Sequence, residues 1–288
     1  MKDVSDEPLP RLSRRRDDAH KGDFGLALIV GGSRGMTGAV ALAGMAALRG
    51  GAGLVRLAVP DVCLDVVAGA EPSYMTVPLP SDDAGRIAAA ARDIILERAE
   101  TATVVGLGPG LGQSAELNEL VGRLYVELPN PMVVDADALN ALATEPEILS
   151  QHAGERVLTP HPGEFARLVG QKLDGDARVD AAGELAKQSN VVIVLKGHRT
   201  CTTDGQQSAI NETGNPGMAT GGSGDVLTGL IVAFLCQGFS PFDAARLGVY
   251  LHGLSGDIAA AEVGEVSLIA SDLVQFLPDA FEEFALGD

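Results

Sequence analysis

Basic charge is scarce in this chain. Its 21 Lys and Arg residues face 39 Asp and Glu, giving a formal net charge of −18 and an isoelectric point near 4.6. Sequence-independent binding to nucleic acid needs a basic footprint, so nucleic acid is disfavoured as a partner, and an anionic membrane likewise. The run Arg14-Arg15-Arg16 is answered at once by Asp17-Asp18. Only 5 of the 21 cations are lysines, which fits a saline habitat or a GC-rich genome equally. Cysteine is scarce too. Cys63, Cys201 and Cys236 form no C-x-x-C pair, and His20, His152, His161, His198 and His252 show no ligand spacing with them, which argues against a structural zinc site. No apolar run is long enough to span a membrane, and the N-terminal residues hold none long enough for a signal peptide. A soluble, reduced, cytoplasmic protein is expected.

Aromatics are few (8 Phe, 3 Tyr and no Trp), whereas glycine is abundant at 36 residues and hydrophobic residues make up 46%. That apolar content excludes intrinsic disorder and is ample for a large core. The glycines follow no G-x-y period, which excludes collagen, and gather in short bursts. Between the bursts, β-prone runs alternate with Ala-rich helical stretches. Strands are expected over residues 26–30, 53–59, 102–106, 132–134, 156–159 and 191–196, and helices over 38–49, 84–99, 114–127 and 177–189. Residues 201–203 and 207–210 flank Asp204-Gly205, a hairpin signal. Repeated βα units with short connections imply a mainly parallel sheet with helices on both faces. Residues 1–19 read as a loose polar arm and residues 20–288 as a single domain.

Open α/β sheets place ligands beyond the carboxyl ends of their strands. The unusual residues fall at such ends: Gly32-Ser33, the glycines of 108–112, Asp135 and Asp137, His161 and Glu164, Lys196-Gly197. No glycine burst runs into G-K-[ST], so a Walker A loop is excluded, and residues 106–112 (GLGPGLG) miss the G-x-G-x-x-G register at Leu111. Residues 214–229, GNPGMATGGSGDVLTG, are more specific. Gly221, Gly222 and Gly224 let successive amides turn inward as an anion nest, and the helical sequence that follows adds its dipole. Asp225 opens that helix. It either compensates the dipole or takes a proton from a hydroxyl that attacks a terminal phosphoryl group; the second role explains a carboxylate inside a phosphate nest.

Six segments carry a resemblance: GGSRGMTGAVALAGMAALRGGAGLV, VVGLGPGLG, VVDADALN, LTPHPGEFARL, VLKGHRT and NPGMATGGSGDVLTG, in that order. Together they resemble the ADP/ATP-dependent NAD(P)H-hydrate dehydratases of the ribokinase-like superfamily, from about His20 to Asp257. The resemblance implies a ribokinase-like three-layer αβα sandwich with a mainly parallel central sheet. It implies dehydration of the S-form of hydrated NADH or NADPH, a metabolite repair by a lyase. ADP, or less readily ATP, phosphorylates the ring hydroxyl, and phosphate then leaves. It also implies Mg²⁺, a homotetramer, and a link to a separate NAD(P)H-hydrate epimerase, because the similarity starts too early for a fused epimerase domain to precede it. A vitamin-precursor kinase of the same fold is the rival.

Matched position by position, Asp225 resembles the catalytic base and a contact to the hydrated cofactor. Ala39, Gly110 and His161 match positions that line the hydrated-cofactor pocket. Lys196, Gly197, His198, Arg199 and Thr200 match the nucleotide-binding segment, and Gly224 a glycine on the adenine nucleotide. Gly222, Asn215, Asp135, Asp137, Asn140 and Glu164 complete the set. Glu164 is either a helix first-turn charge or a holder of Mg²⁺ through water, and no metal ligand is assigned. Only one of Asp135 and Asp137 is expected to face the site; Asp137 could instead cap a helix. Lys196 has a plain alternative as a strand-end lysine reaching water, and Ala39 as a helix-packing residue.

Overall fold

The computed structural model describes residues 1–286 of the chain. Ten strands are found among the described residues: β1 (Lys2–Asp3), β2 (Leu26–Val30), β3 (Leu54–Pro60), β4 (Met75–Leu79), β5 (Val104–Leu107), β6 (Met132–Val134), β7 (Arg156–Leu158), β8 (Val192–Leu195), β9 (Cys201–Thr203) and β10 (Gln207–Ile210). They form one sheet in the order β1-β10-β9-β8-β7-β6-β5-β2-β3-β4. All pairings from β4 across to β8 are parallel; β9 runs antiparallel to both its neighbours, and the Asp204-Gly205 hairpin joins it to β10.

Alternate residues of each central strand enter opposite cores, because successive side chains leave a strand on opposite faces. Ala27 and Ile29 of β2 face one core, whereas Leu26, Leu28 and Val30 face the other. The first core is closed by α1 (Thr37–Arg49), α8 (Ser223–Cys236), α9 (Pro241–Val263) and α10 (Ala270–Leu286). The second is covered by α3 (Arg92–Ala99), α4 (Ala115–Glu127), α5 (Ala136–Leu142), α6 (Pro162–Leu168) and α7 (Gly175–Ser189). The short helix α2 (Leu64–Ala68) sits beside β4. Twelve of the fourteen α8 residues are buried, as expected of a helix that is apolar all round. The small residues of α1 pack against it, and the Gly50 backbone lies against Ala233. That close packing is internal to the fold. The three-layer αβα sandwich with a mainly parallel central sheet is as expected.

Three local readings differ. The helix expected over 84–99 starts only at Arg92. Asp82 accepts the Arg86 amide at 2.9 Å and the Arg86 Nε at 2.8 Å, a local turn that competes with helix. Strand β4 lacks an alternating signal strong enough to read, and Pro78 is tolerated because the strand is an edge. The first residues are docked rather than loose. Lys2–Asp3 pairs with β10, Val4 is buried, and the Arg246 guanidinium holds the carbonyls of Ser5, Glu7 and Pro8.

Under the second core lies Arg156, only 1% exposed and without a carboxylate partner among the described residues. Its guanidinium donates to four carbonyls, of Tyr125, Leu128, Asn130 and Glu155, at 2.6–3.2 Å. Burial lowers its pKa to about 10, so it stays charged at neutral pH. It ties the end of α4 and the loop after it to β7. Arg156→Met leaves these carbonyls without their donor and is expected to cost about 3 kcal/mol. Urea unfolding checks this: the midpoint should fall with an unchanged slope, and Arg156→Lys should recover part of the loss.

Candidate active site

The loops at the carboxyl ends of β2, β5, β6, β7 and β8 meet along one crest. The first two are joined by their backbones: the Gly32 amide donates to the Pro109 carbonyl at 2.8 Å, and Ser33 Oγ donates to the Gly110 carbonyl at 2.9 Å. Gly110 has φ +65°, and a Cβ there would stand 2.6 Å from the Met36 carbonyl and 3.0 Å from Ala39 Cβ. Ala39 and Gly110, far apart in the chain, therefore form one small-residue surface. A side chain at either position would fill it.

The next loops bring in charge. A continued strand would have put Asp135 and Asp137 on one face, since they are two residues apart; the strand instead ends at Val134, and Asp135 stands at the N-terminus of α5. Ala136 takes φ 52°, a left-handed conformation unusual for alanine. Asp135 is 1% exposed; its Oδ1 accepts from Lys196 Nζ at 2.6 Å and its Oδ2 from Thr228 Oγ1 at 2.8 Å. Asp137 turns away to accept the Gly112 amide at 2.8 Å and Gln113 Nε2 at 3.2 Å, so it anchors the glycine loop. Asn140 Oδ1 accepts from Arg167 Nε at 2.8 Å.

His161 and Glu164 form a capping box on α6. His161 Nδ1 accepts the amides of Gly163 at 2.9 Å and Glu164 at 3.3 Å, which leaves the ring proton of the neutral form on Nε2. Glu164 Oε2 accepts the His161 amide at 2.8 Å and lies 3.9 Å from Lys196 Nζ. So Glu164 is indeed a first-turn residue, yet it is buried at the centre of the crest. Burial lifts its pKa to about 7 against the pull of Lys196. Burial, Lys196 and Arg167 all depress that of His161.

Lys196 is not a strand-end lysine reaching water. Burial alone would lower its pKa, but Asp135 and Glu164 reverse the sign and raise it, so the ammonium persists. Gly224 lies directly against this pair: a Cβ there would be 3.1 Å from Lys196 Nζ and 3.7 Å from Asp135 Oδ2. Asp225 follows, with its pKa raised to about 7 by burial first and by the charge of Asp135 second, while Lys196 opposes. A carboxyl that titrates near neutrality beside a retained ammonium can accept a proton and hold an anion in the same place.

Beyond Lys196 opens a cavity of about 530 Å³. Lys196, Gly197, His198, Arg199, Thr200, Asn215 and Gly224 all line it. Gly222 lies just outside, with φ +99°, at the turn into α8. Asn215 also braces the loop, its Nδ2 donating to the Gly256 carbonyl and Asp257 Oδ1 at 2.9 Å each. Ser223 and His252 on the cavity wall were not legible as site residues. Ser223 Oγ is buried without a hydrogen-bond partner among the described residues. His252 Nε2 donates to the Ser223 carbonyl at 2.9 Å, and burial pulls its pKa to about 4, so it supports the nest as a neutral ring. Ser223, the sole hydroxyl within GGSGD, was the available signal; His252 had none.

An open parallel sheet whose crest joins a nucleotide-sized cavity to a buried ammonium–carboxylate cluster defines a ribokinase-like nucleotide-site protein. A family profile described as NAD(P)H-hydrate dehydratase matches residues 27–279, and the chain belongs to that family. It is 48% identical over 273 residues to the bifunctional NAD(P)H-hydrate repair enzyme Nnr of Moorella thermoacetica, covering 93% of this chain and 51% of that protein. The Escherichia coli K12 enzyme of the same name is 40% identical over 270 residues, covering 92% and 49%. The chain thus spans about half the length of these relatives. Among solved structures, the ADP/ATP-dependent NAD(P)H-hydrate dehydratase from Bacillus subtilis, co-crystallised with ATP/Mg²⁺, superposes with a TM-score of 0.80 at 30% identity, covering 95% of this chain and 94% of that one.

The cluster makes a direct test of its electrostatics available. Asp135→Asn is expected to move the Asp225 carboxyl below about 7, and Lys196→Met to move it above, as the opposing contributions are removed. Carbonyl-carbon NMR of aspartate-labelled protein, titrated between pH 4 and about 9, reads both directions. No movement in either variant would show that burial alone sets the value.

Proposed function

We propose that this chain dehydrates the S-form of hydrated NADH and NADPH at the expense of ADP, with ATP the slower donor. The observation that carries the reading is the position of the Asp225–Lys196–Asp135–Glu164 cluster. Gly224 and Lys196 stand on the wall of the nucleotide-sized cavity. Glu164 joins the same cluster to His161, on the acceptor side. The nucleotide occupies the cavity, with its phosphates on the nest amides and Lys196. The hydrated ring lies against Ala39 and Gly110, and His161 Nε2–H, 3.3 Å from Glu164 Oε1, exchanges that contact for the ring carboxamide.

Asp225 takes the proton from the ring hydroxyl as that oxygen attacks the terminal phosphorus. Hydroxide is a poor leaving group at neutral pH and phosphate a good one. The ring nitrogen lone pair then expels phosphate from C6, and the resulting iminium loses a C5 proton to solvent, so that the C5–C6 double bond of the reduced cofactor returns. A phosphotransferase site therefore serves a carbon–oxygen lyase. Asp135 keeps Lys196 charged and in place.

Magnesium fits this site in a restricted way. Among the described residues no group of three or more acidic, His or Cys side chains is arranged to hold a metal. Both Asp135 oxygens are already engaged. Glu164 and Asp225 would hold, through water, a Mg²⁺ carried on the nucleotide phosphates. When bound it supplies charge neutralisation at the phosphates. The same reading includes a cytoplasmic homotetramer working beside a separate epimerase that interconverts the two hydrate forms. No described helix is long and apolar enough to cross a membrane.

Absorbance at 340 nm is the test, with purified protein, hydrated NADH, Mg²⁺ and either ADP or ATP. A nucleotide-dependent rise, faster with ADP, is expected. Asp225→Asn should bind nucleotide as the parent does and lose turnover by roughly 10³-fold. No rise from folded, nucleotide-binding protein would transfer the reading to a vitamin-precursor alcohol kinase.

A further inference from the structure

The first residues of the chain take no part in the proposed chemistry, yet a specific clamp holds them. The Arg246 guanidinium, on α9, donates to the carbonyls of Ser5 at 3.3 Å, of Glu7, and of Pro8 at 3.1 Å. Beside it the Val4 amide donates to the Ser208 carbonyl at 2.8 Å, and Ser5 Oγ accepts the Ile210 amide at 2.9 Å. Strand β10 is therefore bonded along both edges, by β9 and by this arm. The amide of its last residue is met by a side chain rather than by another strand.

Strand β10 leads directly into the wall of the nucleotide cavity, which Asn211, Glu212 and Thr213 line. The Asn211 amide donates to the Thr200 carbonyl at 2.9 Å, joining this stretch to the Lys196–Thr200 segment. Thr213 Oγ1 donates to the Tyr250 carbonyl of α9 at 2.9 Å. Arg246, Val249, Tyr250 and Gly253 recur at i, i+3, i+4 and i+7, so one face of α9 carries all four. That face grips the arm with Arg246 and lines the nucleotide cavity with Val249 and Gly253. A second cavity, of about 520 Å³, opens behind the wall and is bounded by Asp3, Ser5 and Glu7 of the arm. Arg199, Asn211, Glu212 and Thr213 line both cavities, so the wall is a partition with space on either side. Arg199 takes φ 58° there, a left-handed conformation that a non-glycine residue keeps only when its surroundings impose it.

A partition without packed core behind it takes its position from whatever ties it down. Here the ties are the ladder to β10 and the arm that closes that ladder. We propose that residues 2–8, clamped by Arg246, hold this partition in place and thereby set the affinity for the nucleotide. Arg246 does not line the nucleotide cavity, so it is a positioning residue and not a contact to the ligand. This rests on the nucleotide reading of the cavity and adds to it a remote segment that shapes the site. Coupling of this kind is reciprocal: if the docked arm tightens nucleotide binding, bound nucleotide tightens the docking of the arm by the same factor.

Calorimetric titration with ADP and ATP, together with steady-state kinetics, tests it in Arg246→Gln, Arg246→Lys and Ser5→Ala. Arg246→Gln is expected to raise the nucleotide Kd and KM roughly 10-fold, with kcat and the KM for hydrated cofactor held within about twofold. Arg246→Lys should recover part of the loss, because an ammonium still meets some of the carbonyls. Ser5→Ala removes only the acceptor for Ile210 and should raise the nucleotide Kd about threefold, which keeps the test open if Arg246→Gln does not fold. In the parent, saturating ADP should slow hydrogen exchange at the Val4 and Ile210 amides. Parental nucleotide affinity in the folded variants, with exchange at Val4 indifferent to ADP, overturns the role of the arm. So does a smaller competent fraction at unchanged Kd, which is what a merely structural arm would give. Parent protein that binds nucleotide yet dehydrates neither hydrate overturns the dehydratase reading, and the titrations still decide the arm. Parent protein that binds neither ADP nor ATP overturns the nucleotide reading of the cavity, and the role of the arm falls with it.

Discussion

Lys196 is the ammonium around which the crest is organised. It follows β8, with its Nζ 2.6 Å from Asp135 and 3.9 Å from Glu164, and it acts electrostatically on Asp225. Three carboxylates cannot be gathered at a buried point without a cation, since each would be forced neutral by burial. Lys196 lets Asp135 remain an acceptor of two hydrogen bonds while Glu164 and Asp225 titrate near 7. Removing it would strand Asp135 as a buried charge, at a cost of about 3–5 kcal/mol. The pair thus matters both to folding and to the proton affinity of the proposed base.

Around that pair the backbone must come very close. Gly224 allows the start of α8 to lie against Lys196, and Gly110 allows the loop after β5 to lie against Ala39. These approaches explain the clustering of glycine better than flexibility does. They also explain why a core almost without large aromatics suffices. Aliphatic residues fill both faces of the sheet, and the small side chains of α1 let α8 pack closely beneath the nest.

Much of this was legible. The central strands and the hairpin follow from apolar periodicity and from Asp204-Gly205, and the convergence on strand ends follows from parallel topology. The segment Lys196–Thr200, Asn215 and Gly224 were singled out from widely separated stretches and line one cavity. Asp137 was misread because nothing local says where β6 stops. Its carboxylate bonds the glycine loop, a partner known only once β5 and β6 are adjacent. The delayed start of α3 and the docking of the first residues on β10 likewise depend on side-chain capture by Asp82 and Arg246.

The order of residue types along the chain determined the βα alternation, the glycine turn at the start of α8, and the family to which the chain belongs. These depend on local periodicity and on glycine at particular places, which a sequence displays directly. Tertiary structure alone decided which carboxylate is fully buried and paired, that Asp225 titrates near neutrality, and that His252 supports the nest. Burial and the distance between charges set each of these. Both quantities arise only when loops from five strands are brought to one crest.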